Sequence, residues 1–156
     1  MDLLECISPS QSTTWFLMRK ALYLFIITML CGLFIICITL YFVWGKDLSQ
    51  HFNQEIPHHF LIIFKHNFKV YLLFCIPIWG IIHFAIAFMI TFSSIGLAIV
   101  HLSFFQTIIN LKHLPLELFA LCIPVVTMNF KQSFKIKNLS LGVILLFMAS
   151  IIEFYG

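Results

Sequence analysis

The stretch that decides the fold is VYLLFCIPIWGIIHFAIAFMITFSSIGLAIVHLSFFQTIINL, Val70 to Leu111, 42 residues without one Lys, Arg, Asp or Glu. A straight helix of that length would reach about 63 Å, twice the roughly 30 Å of a bilayer's hydrocarbon. The run must therefore fold back. Its weakest helical point is Thr91-Phe92-Ser93-Ser94, followed by Gly96, which places one span at about 70–90 and the next at about 94–111.

Upstream, Ala21 to Trp44 is a further 24 residues without a charge. A signal-peptide core is shorter, about 7–15 residues, and ends at small residues. This run ends Tyr41-Phe42-Val43-Trp44-Gly45-Lys46, an aromatic and basic edge suited to a membrane–water interface. A retained anchor is expected. Downstream, Lys112-His113-Leu114-Pro115 marks a turn, and Pro115 suits a helix's first turn. A fourth span at about 114–130, a loop carrying Lys131, Lys135 and Lys137, and a fifth span at about 139–155 complete the chain. Between the first two spans Gly45–Lys69 is polar and holds His51, His58, His59 and His66; its apolar part, Ile56–Phe64, is too short to span and reads as interfacial.

The expectation is an all-α integral membrane protein of five transmembrane helices in a single domain, 1–156. Composition agrees. The chain is 62% apolar and 10% charged, with nine Lys/Arg and six Asp/Glu, whereas soluble domains carry about 25% charged residues. An ordinary soluble domain, a disordered chain and a nucleic-acid module are thereby excluded, since a net charge of +3 is too small and scattered for a phosphate-binding patch. Lys/Arg distribution among the loops is nearly even and leans only to an internal N-terminus. Cys6, Cys31, Cys37, Cys75 and Cys122 form no CxxC and read as buried small hydrophobes.

Several chemistries lack their residues. No P-loop GxxxxGKS/T and no HExxH occurs. The serines have no paired His base, and no adjacent glutamates of the kind used by CAAX-type membrane proteases exist. No metal or cofactor is expected. The informative groups are Glu117 and Glu153, the carboxylates inside the spans. An ionisable group at that depth is costly and is by default a functional hypothesis. His113 precedes Glu117 by four residues and shares its helix face. Structural anchoring and a chemical role both remain open for these carboxylates. His83 and His101 stand alone on apolar helices and read as packing residues. Ser103, Gln106, Thr107 and Asn110, spaced i, i+3, i+4 and i+7, make one polar stripe for helix–helix contact. The 19 phenylalanines read mostly as lipid-facing bulk.

Three segments, in order, resemble the stage II sporulation protein M family of small bacterial and archaeal membrane proteins. Asn67-Phe68-Lys69-Val70 resembles that family's Asn-x-basic-Val helix opening, followed by Gly80 and Gly96. His113-Leu114-Pro115-Leu116-Glu117-Leu118-Phe119-Ala120 resembles its central His…Glu…Ala motif, with His113, Glu117 and Ala120 in register. Ala149-Ser150-Ile151-Ile152-Glu153-Phe154 resembles its closing Ala-x-x-Ile-Glu segment. The resemblance covers about residues 60–156. The chain departs from the pattern at Leu114, Phe119 and Cys122-Ile123-Pro124, where the family has Gly, Pro and a Gly-rich stretch.

The resemblance implies a multi-pass protein of a bacterial cytoplasmic membrane. Founding members act in spore engulfment, within a complex that organises cell-wall remodelling. Other small members resemble accessory proteins of bacteriocin clusters, which accompany an ABC-type ATPase in peptide maturation, export or self-protection. The leading expectation is such a non-enzymatic subunit, its partners the lipid bilayer, an ATPase and a small peptide. An engulfment scaffold is the alternative. A proton- or metal-using enzyme or transporter built on His113, Glu117 and Glu153 is the third reading.

Overall fold

The computed structural model describes residues 9–43, 60–129 and 136–155, with side chains from Trp15 onward. These residues form six helices and no strand: α1 Pro9–Val43, α2 Phe60–Phe74, α3 Trp79–Leu102, α4 Phe104–Asn110, α5 Leu114–Asn129 and α6 Ile136–Tyr155. Three are long and apolar enough to cross a membrane: Trp15–Val43 within α1, α3 and α6. The pair α4 and α5, bent by 53° at the break between them, passes as a fourth when taken together. Helix α2, at 15 residues, and α5 alone, at 16, are shorter than the roughly 20 residues of a standard span.

The long uncharged run folds back, but not where its sequence looks weakest. Thr91-Phe92-Ser93-Ser94 lies inside α3, which runs unbroken from Trp79 to Leu102. The break is at Cys75–Ile78, around Pro77. Proline has no N–H to donate and its ring clashes with the carbonyl four residues back, so it ends the preceding helix. Serine and threonine are tolerated in a lipid-embedded helix because their hydroxyls can bond the helix's own carbonyls. The expected helix at 70–90 is thus two helices. Its first part begins ten residues earlier, at Phe60, so Phe60–Lys69 of the expected interfacial stretch is helical and continuous with Val70–Phe74. Positions 45–59 of that stretch, Lys131, Lys135 and Cys6 lie outside the described residues.

A second correction concerns the expected helix at 94–111. It is interrupted at Ser103, whose φ of 76° separates α3 from the short α4. The polar stripe Ser103, Gln106, Thr107 and Asn110 therefore does not run along one continuous helix. Thr107 is buried, while Ser103, Gln106 and Asn110 are exposed.

Contacts between elements give their directions. Gly32 and the Ile36–Thr39 turn of α1 meet Phe92 and Gly96 of α3, so these helices run parallel. Phe60 and Phe64 of α2 meet Phe147 of α6, and Tyr71 of α2 donates to the Leu139 carbonyl, which makes α2 and α6 antiparallel. His113 faces Glu153, and Ala120 clusters with Leu146, so α5 also opposes α6. One core joins α1, α3 and α5 through Leu17, Ala21, Phe84, Phe92, Leu118 and Val126. A smaller one holds Tyr71, Ala120 and Leu146 between α2, α5 and α6. Most of the described phenylalanines are exposed or half-buried, in line with the expectation, but not all. Phe84, Phe88 and Phe92 form a row along α3, and Phe74, Phe84 and Phe92 are buried.

Apolar side chains dominate the outer surface as well as the core. Leu22, Ile26, Leu30, Leu33 and Phe34 of α1 are exposed, while Thr28, Asn67, Thr107, Thr127, Asn138 and Ser150 are buried. Thr28, Thr107, Thr127 and Ser150 each donate to the carbonyl four residues earlier, at 2.6–3.0 Å. Contiguous exposed apolar surface on this scale suits a lipid bilayer around it. Of the described cysteines only Cys122 is buried; Cys31 and Cys37 are exposed on α1, against the expectation of burial.

Candidate functional site

The site is assembled from the start of α5 and the end of α6. Leu111 closes α4, its N–H bonding the Thr107 and Ile108 carbonyls, and His113 sits in the turn before α5. The His113 carbonyl accepts the N–H groups of Leu116 and Glu117, which locks the first turn of α5. Glu117 follows His113 by one helical turn, and its carboxylate lies 3.8 Å from His113 Nε2. Glu153, from the last turn of α6, places its carboxylate 3.7 Å from the same nitrogen.

Burial is graded across the three. The His113 side chain is 11% exposed, Glu117 18% and Glu153 31%. One donor atom from each residue lies within 4.8 Å of the other two. His113 Nδ1 has no hydrogen-bond partner among the described residues. Two carboxylates thus flank one imidazole in a partly buried setting, an arrangement able to share a proton or to hold a cation.

Antiparallel packing of α5 on α6 produces this convergence. Ala120 is fully buried against Tyr71 and Leu146, and Ala149 and Ser150 are fully buried on α6. Small residues at these positions let the two helices approach closely. With the helices in contact, the first turn of one meets the last turn of the other, which carries Glu153 to His113 and Glu117.

Two clefts meet at His113. One, of ≈ 200 Å³, is largely apolar and includes Phe74, Phe84, Leu118 and Glu117. The other, of ≈ 410 Å³, includes Ser94, Thr107, Asn110 and Glu153. Thr107 and Asn110 of the polar stripe therefore border the same cleft as the His113 cluster. Ser103 and Gln106 do not, and His83, exposed on α3, instead donates from Nδ1 to the Trp79 carbonyl at 2.9 Å.

Sequence reasoning missed the γ-turn that starts α3. Ile78 has φ 65° and ψ −58°, and the Trp79 N–H bonds the Pro77 carbonyl across it at 2.7 Å. The Ile78 N–H donates to Asn129 Oδ1 at 2.6 Å, tying this turn to the end of α5. Pro77 was the available signal. Compared with known proteins, the chain matches no family model, no curated protein and no solved structure.

Proposed function

We propose that this chain is a non-enzymatic, five-pass subunit of a bacterial cytoplasmic membrane, serving a peptide export, maturation or self-protection system with a separate ABC-type ATPase. The observation that carries the reading is the meeting of His113, Glu117 and Glu153. These are the ionisable positions at which the chain resembles the stage II sporulation protein M family, and they come from two helices. Five passes are supported by direction: Ile78 at the start of α3 meets Asn129 at the end of α5 while later turns of α3 border the cleft at His113, so α1 and α3 run one way, α2 and α5 the other, and α6 returns with α1. The chain carries no P-loop nucleotide-binding motif, so in this reading the ATPase is a separate protein.

Purification of the tagged chain in mild detergent from its native host tests this. Co-elution of an ABC-type ATPase, together with loss of peptide secretion or immunity on deletion of the gene, is the expected result. Normal secretion and immunity in the deletion strain, or an arrest of spore engulfment in its place, would overturn it.

A further inference from the structure

We propose that His113, Glu117 and Glu153 form a binding site for one divalent transition-metal ion of the zinc class. The site stands on its own geometry, whether or not the chain serves peptide export. His113 Nε2 is 3.8 Å from Glu117 Oε2 and 3.7 Å from Glu153 Oε2. A charge-assisted hydrogen bond would draw one pair to about 2.8 Å. Instead the nitrogen stands nearly equidistant from both oxygens, beyond hydrogen-bonding reach of either.

Around a tetrahedral zinc ion with bonds of about 2.1 Å, neighbouring ligand atoms sit about 3.4 Å apart. Both His–Glu separations need close by only a few tenths of an ångström. All three donor atoms already lie within 4.8 Å of one another.

Charge points the same way. Two carboxylates side by side in a low-dielectric interior repel, and each is costly to desolvate. A protonated imidazole cancels one negative charge; a divalent ion cancels both. The largely buried His113 side chain directs Nε2 between the two carboxylates, while its Nδ1 bonds nothing among the described residues. One imidazole nitrogen with two carboxylate oxygens is a set that suits a borderline ion such as zinc. Three protein ligands leave a fourth position, and the adjoining cleft of ≈ 410 Å³ has room for a water there.

The full chain, purified in detergent and stripped with a chelator, is titrated with ZnCl2 by equilibrium dialysis. Because the chain also carries His51, His58, His59 and His66, a variant with all four changed to Asn is the reference. One equivalent bound per chain is expected in that reference. His113→Asn, Glu117→Gln and Glu153→Gln should each weaken binding at least about tenfold, whereas His83→Asn leaves it unchanged. Zinc binding that survives all three site substitutions, or that vanishes when His51, His58, His59 and His66 are replaced, overturns the proposal. If a site variant fails to fold, the reference protein's melting temperature decides. A rise with saturating ZnCl2 that the chelator reverses is expected, and no shift overturns the site.

Discussion

His113 and Glu153 are forty positions apart in the chain and 3.7 Å apart in the fold. This contact closes α5 against α6 at the end of the bundle where α6 finishes. It also sets an imidazole between two carboxylates, since Glu117 approaches the same nitrogen.

That placement predicts a reversal of sign. At pH 8, chelator-stripped Glu153→Gln should melt above stripped wild type, because two neighbouring carboxyl groups disfavour each other's charge. Removing one of two neighbouring like charges is worth on the order of 1 kcal/mol at an effective dielectric near 20, reduced here because Glu153 is partly exposed. With saturating zinc the order should invert, because the variant loses a ligand. Thermal melts in detergent with and without ZnCl2 measure both; the same order in the two conditions would exclude a bound ion as the cluster's counter-charge.

The α2–α6 contact turns on Tyr71. Its hydroxyl is buried and donates to the Leu139 carbonyl at 2.8 Å, and a β-carbon on Gly142 would overlap that hydroxyl. Tyr71→Phe should cost about 1 kcal/mol, the net value of one hydrogen bond. Gly142→Val should cost more, about 1–3 kcal/mol, because the ring must leave a filled site. In Tyr71→Phe the hydroxyl is gone, so the added cost of Gly142→Val should shrink. A double-mutant cycle on melting curves reads this coupling, and strict additivity would contradict the geometry.

Ile78 holds a positive φ that a β-branched residue adopts only under strain, typically about 1–3 kcal/mol. The residue is 71% exposed, so little packing is lost on removing its side chain. Ile78→Gly should therefore stabilise the protein by about 1 kcal/mol, net of glycine's greater entropy when unfolded. Asn129→Leu should destabilise it by about 1–3 kcal/mol, since the Ile78 N–H loses its acceptor. Melting temperatures of the two variants should move in opposite directions.

The helical class and the membrane environment were legible from uncharged run length, because backbone satisfaction in lipid admits few alternatives. Helix boundaries were less so. Pro77 and Ser93-Ser94 both signal breaks, and local propensity could not rank them; the packing of Phe92 and Gly96 against α1 keeps α3 continuous through the serines. The pairing of His113 with Glu117 was readable as i, i+4. Their meeting with Glu153 was not, because no periodicity links positions on separate helices. The interruption at Ser103 had no signal at all, and it is what divides the polar stripe.

Helix α1 separates a lipid reading from an aqueous one. Leu30 is 63% exposed, whereas Thr28, two positions earlier, is 5% exposed and bonds the Leu24 carbonyl. If the outer face of α1 meets hydrocarbon, Leu30→Lys places an ammonium group near the middle of the span. Insertion should then weaken by about 3–4 kcal/mol relative to the leucine it replaces. If that face met water, the same change would improve solubility and leave the fold intact. Carbonate extraction of membranes and pulse-chase turnover distinguish the two. The expected outcome is a larger extractable fraction and faster degradation for Leu30→Lys, with Thr28→Val, which keeps the shape and loses only an internal hydrogen bond, remaining membrane-embedded. A Leu30→Lys chain that stays embedded and turns over at the wild-type rate would place this face away from lipid.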